Sequence, residues 1–140
     1  MIRLDEDVLV AGQIQPGDVP ALAARGVTMI VNNRPDGEEP GQPDGAEIEA
    51  AAREAGIAYR HIPVAAGFSP GQVEAMAEAL GASDGAMLAF CRSGTRSTYL
   101  WALARARSGD DAAGLVAKAA AAGYDLRPIA AHLAQPSLRV

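Results

Sequence analysis

The sequence has few of the residues that build disulfides, metal cages or membrane spans. Its 140 residues include one cysteine, Cys91, and two histidines, His61 and His132. One thiol excludes a disulfide within this chain, and with so few sulfur and imidazole ligands neither a metal nor a cofactor is predicted. No apolar run approaches the roughly 20 residues of a membrane-spanning helix, so membrane association is not expected.

Basic charge is also scarce. The formal net charge is -5, so the chain lacks the positive field that nucleic acids or anionic membranes would require. The acidic opening, residues 1–7, differs from a signal peptide or presequence, and a cytoplasmic location is predicted. With 49% hydrophobic and 21% charged residues, residues 1–140 are expected to form a single globular domain.

Apolar segments and turn residues alternate along the chain in a way typical of an α/β domain. Strands are predicted at 7–11, 27–31, 57–64 and 86–90. Helices are predicted at 16–25 with a start near Asp18, at 46–55, from a Ser69 cap to Leu80 with Gly81 as its stop, at about 96–107, at about 110–122, and as a short segment capped by Asp125. Single helices between strands imply a mostly parallel sheet with helices on both faces, with 27–31 central and 32–45 as a long loop.

The lone cysteine lies in a segment suited to holding an anion. Residues 90–97, Phe-Cys-Arg-Ser-Gly-Thr-Arg-Ser, join a buried strand to a helix, where successive backbone N–H groups can converge on one point. These dipoles, together with Arg92 and Arg96, would favour a thiolate at Cys91. A strand-end cysteine is otherwise a small buried hydrophobe, but two arginines beside an inert thiol would be hard to explain.

The spacing of this loop resembles known cysteine enzymes. Four residues separate Cys91 from Arg96, as in the active loop of rhodaneses, whereas tyrosine and dual-specificity phosphatases have five and usually a histidine where this chain has Phe90. Other segments resemble the bacterial phosphatase-like domain of beta-lactamase hydrolase-like proteins, often labelled sulfur transferase: Ala-Gly-Gln at 11–13, Val-Asn-Asn-Arg-Pro-Asp-Gly-Glu at 31–38, His-Ile-Pro-Val at 61–64 and Ala-Gly-Tyr-Asp-Leu at 122–126. The resemblance implies a three-layer fold like that of dual-specificity phosphatases.

A loop of rhodanese length favours sulfur transfer as the activity. The Cys91 thiolate would take a sulfane sulfur from thiosulfate or a small persulfide, hold it as a persulfide and pass it to a thiol acceptor. Arg96 would be the second catalytic residue and would bind the anionic donor through two parallel hydrogen bonds from its guanidinium group. The residues expected to bind the substrate are Arg92, Ser93, Gly94, Thr95, Ser97, Asn33, Arg34 and Asp36. The expected partners are a small anionic sulfur donor, a thiol acceptor and, from the resemblance, a persulfide dioxygenase-like metallo-hydrolase.

Two alternatives remain open at this stage. One is a cysteine-nucleophile phosphatase, although residues 65–68, Ala-Ala-Gly-Phe, lack the carboxylate that such enzymes place there as a general acid. Asp36 or Asp84 could substitute, but Asp84 is better explained as a turn residue. The other is a non-catalytic module that binds an anion or a persulfide. For Arg34, an ion pair with Glu38 or Glu39 is as good an explanation as substrate binding.

Overall fold

The five strands form one mixed sheet in the structure, a computed structural model that describes residues 1–134. The strands are β1 (Ile2–Asp5), β2 (Val8–Ala11), β3 (Val27–Asn32), β4 (Ala58–His61) and β5 (Ala86–Phe90). Their order across the sheet is β1-β2-β5-β3-β4, and every neighbouring pair is parallel except the β1/β2 hairpin. The predicted mostly parallel sheet is therefore confirmed.

Within residues 1–134, six α-helices cover the two faces of this sheet. They are α1 (Val19–Ala24), α2 (Gly45–Glu54), α3 (Pro70–Ala82), α4 (Thr95–Arg107), α5 (Ala112–Ala121) and α6 (Ala130–Ala134), with 3-10 turns at Pro16–Asp18 and Arg127–Ile129. None of the helices within residues 1–134 is long and apolar enough to cross a lipid bilayer.

The centre of the sheet is buried on both sides because its side chains alternate between two cores. Met87 and Ala89 of β5 pack with α3, α4, α5 and α6, whereas Leu88 and Phe90 pack with α1 and α2. All four side chains are fully buried. A strand covered on both faces carries a continuous apolar run, which explains why β5 and β3 could be read from the sequence.

Several predicted boundaries were wrong in instructive ways. Strand β1 was missed because its first residues, Ile2 and Arg3, are exposed and leave no alternating pattern. Helix α3 does not stop at Gly81 but continues to Ala82, and the strand predicted at 57–64 is limited to β4. The predicted cap at Ser69 is confirmed, since its hydroxyl oxygen accepts the Gln72 N–H at 3.1 Å.

Candidate active site

The carboxyl ends of β3 and β5 lie side by side and bring two loops together. Because the two strands are parallel neighbours, Cys91 follows β5 at the same edge of the sheet where Asn33 follows β3. The Asn33 N–H donates to the Phe90 carbonyl at 2.8 Å, so the pairing continues one residue beyond β3. This edge is where open α/β sheets place their ligands.

The Cys91 sulfur is held by the loop that follows it. The thiol is fully buried, and its Sγ accepts the Gly94 backbone N–H at 3.1 Å. Gly94 is the N-cap of α4 and has φ of 89°, a left-handed conformation that favours glycine. The backbone immediately after β2 lies against this loop, because a Cβ added to Gly12 would come within 2.9 Å of the Arg92 carbonyl oxygen. The loop is therefore a tight turn that directs at least one amide at the sulfur.

The Arg96 guanidinium binds a carboxylate from the 32–45 loop. Its two terminal nitrogens donate to the two oxygens of Glu38 at 2.6 and 2.8 Å, and Nη1 also donates to the Val64 carbonyl at 2.7 Å. These hydrogen bonds lower the pKa of Glu38 to about 2, with a smaller contribution from Arg34. They also raise the pKa of Arg96, to which the neighbouring Cys91 sulfur contributes. Glu38 is thus ionised and occupies a fork that could otherwise grip an oxyanion.

A second arginine of the predicted site is committed to internal contacts. Arg34 is 1% exposed and donates to Glu38 at 2.9 Å, to Glu39 at 2.8 Å and to Gln13 at 3.0 Å. The ion-pair interpretation of Arg34 therefore describes its contacts in this structure. Arg92 is different, because its side chain is 68% exposed and, within residues 1–134, forms a long ion pair with Glu39 at 3.7 Å. The Arg92 guanidinium therefore lies largely in solvent.

Two other predicted binding residues form the frame beneath the loop. The Ser97 hydroxyl donates to the Asn33 side-chain oxygen at 2.8 Å, and the Asn33 amide nitrogen donates to the Ile62 carbonyl at 3.0 Å. Both Asn33 and Ser97 are fully buried. These bonds tie α4 to the segments that follow β3 and β4, so their observed role is to fix the position of the loop.

Of the remaining predicted binding residues, Ser93 and Asp36 are exposed and Thr95 is half-buried. The Ser93 hydroxyl donates to the Thr95 hydroxyl at 3.1 Å within the Cys91 loop. Asp36 instead accepts the Gly45 N–H at 2.8 Å, at the beginning of α2. The contacts of Ser93 and Thr95 leave them beside Cys91, whereas Asp36 is engaged in the 32–45 loop.

The structure also limits which side chain could act as the general acid that protonates a leaving group. Asp84 immediately precedes Gly85 and β5, whose five residues span about 16 Å, so it lies at the edge of the sheet opposite Cys91. Residues 65–68 contain no carboxylate. Glu38, whose ion pair with Arg96 was not predicted from the sequence, is a carboxylate held directly against Arg96. No group of three histidine, cysteine or acidic residues within residues 1–134 is arranged to hold a metal ion.

Comparison with known families gives this arrangement a context. Residues 1–108 match the family described as the phosphatase-like domain of beta-lactamase hydrolase-like proteins. The chain belongs to this family. A beta-lactamase hydrolase-like protein of Agrobacterium fabrum is 38% identical over 109 residues, which are 77% of this chain and 25% of that protein. The chain thus spans about a quarter of the length of this curated relative, and nothing about the relative's remaining three quarters transfers directly.

Solved structures agree with the family. The crystal structure of a candidate phosphatase from Neisseria meningitidis is 34% identical, with a TM-score of 0.82 and coverage of 96% of both chains. Human DUSP28 shares the fold, with a TM-score of 0.61, 23% identity and coverage of 95% of this chain and 92% of its own. The expected fold resembling dual-specificity phosphatases is confirmed.

These comparisons correct the predicted activity. The family is phosphatase-like, and the similar structures carry the names of phosphatases, so the prediction of a sulfurtransferase as the main activity was wrong. That prediction depended on the length of one loop, which is a local feature. The family match covers residues 1–108 and the Neisseria meningitidis structure covers 96% of this chain, and together they support a phosphatase-like, cysteine-dependent domain.

Proposed function

We propose that this domain is a cysteine-dependent phosphatase that hydrolyses phosphate monoesters. The observation that carries the proposal is the position of the buried Cys91 thiol at the end of the central strand β5. Its sulfur accepts a hydrogen bond from the Gly94 N–H, and Arg96 lies beside it. A sulfur so placed is activated as a nucleophile by its surroundings, and the same amide and guanidinium donors suit the oxygens of a phosphoryl group. The family membership and the similar structures support this choice of reaction.

The reaction takes place in two displacements. The Cys91 thiolate attacks phosphorus, an S–P bond forms, and the P–O bond to the alcohol breaks. The electron pair of that bond leaves with the alcohol oxygen, which takes a proton from water. A second water then attacks phosphorus, the S–P bond breaks, and inorganic phosphate and the thiolate are released, with the displaced proton passing to solvent.

Substrate binding requires Arg96 to exchange partners. Glu38 binds both terminal nitrogens of Arg96 in this structure, and a doubly charged phosphoryl group competes with it for the same donors. The bond from Arg96 to the Val64 carbonyl does not involve Glu38 and can hold the side chain in place during the exchange. Exposed Arg92 draws the anion toward the loop.

The absence of a carboxylate at 65–68 has a consequence for substrate choice. Without a general acid there, the leaving oxygen departs with much of its negative charge, so esters of acidic alcohols should react fastest. Aryl phosphates are therefore the best class of substrate for a first assay, and the rate should fall steeply as the leaving phenol becomes less acidic.

The test compares the native protein with three variants on a series of aryl phosphates. Cys91→Ser should abolish phosphate release. Arg96→Lys keeps the charge but loses the fork, and about a hundredfold lower kcat/KM is expected. Arg105→Lys is the matched control, because Arg105 forms a similar fork onto Asp110, at 2.9 and 3.1 Å, at the far end of α4. It should retain native activity.

Intact mass after rapid acid quenching provides a second, independent readout. A phosphoryl adduct is expected on the native protein and should be absent from Cys91→Ser. Phosphate release that persists in Cys91→Ser, or binding of phosphate without turnover of any aryl ester, would overturn the proposal. The second result would indicate an anion-binding module instead.

A further inference from the structure

Tyr124 contacts the Cys91 loop but has no part in the proposed reaction. Tyr124 follows α5, and its hydroxyl donates to the Ser93 carbonyl oxygen at 3.1 Å. It is half-buried, and burial raises the pKa of its hydroxyl, with a further electrostatic rise from the proximity of Cys91. Tyr124 therefore stays protonated and can act as a hydrogen-bond donor near neutral pH.

The carbonyl that Tyr124 binds belongs to the same peptide group as the N–H that holds the nucleophile. The Ser93 carbonyl and the Gly94 N–H share one planar unit, and the described backbone contains no cis peptide bond. In a trans peptide these two groups point in opposite directions. Tyr124 consequently lies on one side of the 93–94 peptide and the Cys91 sulfur, 3.1 Å from the Gly94 nitrogen, lies on the other.

The backbone after α5 fixes the position of Tyr124. Gly123 has φ of 93°, its N–H donates to the Ala120 carbonyl at 3.0 Å, and the Tyr124 N–H donates to the Ala119 carbonyl at 2.8 Å. This pair of bonds is the Schellman arrangement that commonly ends a helix. A rigid helix end therefore delivers the hydroxyl to the loop, and a Cβ on Gly94 would collide with it.

We infer that Tyr124 is a positioning residue for the nucleophile: its hydroxyl orients and polarises the 93–94 peptide so that the Gly94 N–H stabilises the Cys91 thiolate. A hydrogen bond accepted by the carbonyl makes the N–H of the same peptide a stronger donor. The bond also resists rotation of the peptide, which would turn the N–H away from the sulfur. The inference deepens the proposed phosphatase function, and it concerns the charge state of the thiol rather than contact with the substrate.

The test measures the rate of Cys91 alkylation by iodoacetamide against pH, which needs no phosphate ester. Tyr124→Phe should shift the midpoint of this profile upward by about 0.5–1 pH unit, so that alkylation on the acidic side slows roughly three- to tenfold. Tyr99→Phe is the matched control. It removes another half-buried tyrosine hydroxyl, which donates to the Asp125 carbonyl at 3.0 Å and does not bond the loop. Its profile should match that of the native protein.

Aryl phosphate hydrolysis supplies the second profile. The acidic limb of kcat/KM should move upward in Tyr124→Phe by the same amount as the alkylation midpoint. An unmoved alkylation midpoint in Tyr124→Phe, or equal shifts in Tyr124→Phe and Tyr99→Phe, would overturn the inference. If the native protein proves inactive on every ester, the phosphatase proposal fails, but the alkylation profiles still decide the role of Tyr124.

Discussion

Replacing Glu38 by Gln should weaken the fold in a way that depends on pH. The change keeps the size of the side chain but removes the charge that faces both Arg96 and Arg34. Lowering the pKa of Glu38 from 4.5 to about 2 corresponds to about 3 kcal/mol of folding free energy if fully realised. One quarter of the side chain is exposed, so solvent screening reduces the expected loss to about 1–2 kcal/mol at pH 7.

The pH dependence follows from the direction of the shift. A carboxyl group whose pKa is lower in the folded state contributes its full stability above its unfolded pKa, 4.5 for Glu38, and loses it as the pH falls toward about 2. The native protein should therefore be more stable than Glu38→Gln at pH 7. The difference between them should shrink steadily as the pH falls below about 4.5.

Urea denaturation at several pH values measures this difference. At pH 7 the midpoint of Glu38→Gln should fall by about 0.5–1 M. The control is Glu49→Gln, which breaks an exposed pair with Arg53 at 3.4 Å and should cost less than about 0.5 kcal/mol. Equal losses in the two variants at pH 7, or a Glu38→Gln difference that does not change on acidification, would refute the reasoning.

Two further substitutions test the frame and the turn of the site. Asn33→Ala removes the buried amide that bonds both Ile62 and Ser97, and urea denaturation should show a loss of about 2–3 kcal/mol; a loss below about 1 kcal/mol would contradict this role. Gly94→Ala places a side chain at φ of 89° and against the Tyr124 hydroxyl, so a loss of about 1–2 kcal/mol and slower alkylation of the active-site thiol are expected. Native alkylation kinetics in that variant would show that the loop tolerates another conformation.

The sequence predicted the Cys91 loop because its features are local. An apolar run ending in a thiol, followed by a glycine and then a helix, is enough to place a cysteine at the amino terminus of that helix. The structure confirms this order and the proximity of the Asn33 segment, which follows from the parallel pairing of β3 and β5. The type of reaction was harder to predict from the sequence. The loop between Cys91 and Arg96 is one residue shorter than that of phosphatases, and this difference favoured sulfur transfer over phosphoryl transfer.

The partners of the loop could be found only in three dimensions. Glu38 and Arg96 are 58 positions apart, and Tyr124 lies 31 positions from Ser93, so no periodicity or spacing connects them. Their contacts depend on how the 32–45 loop folds back over the sheet edge and on how α5 ends. The sequence alone determined the layers of the domain and the position of Cys91 between a buried strand and a helix, because hydrophobic periodicity and turn residues act locally. Only the tertiary structure decided which charges and donors surround that thiol, because those groups meet only through packing of distant segments.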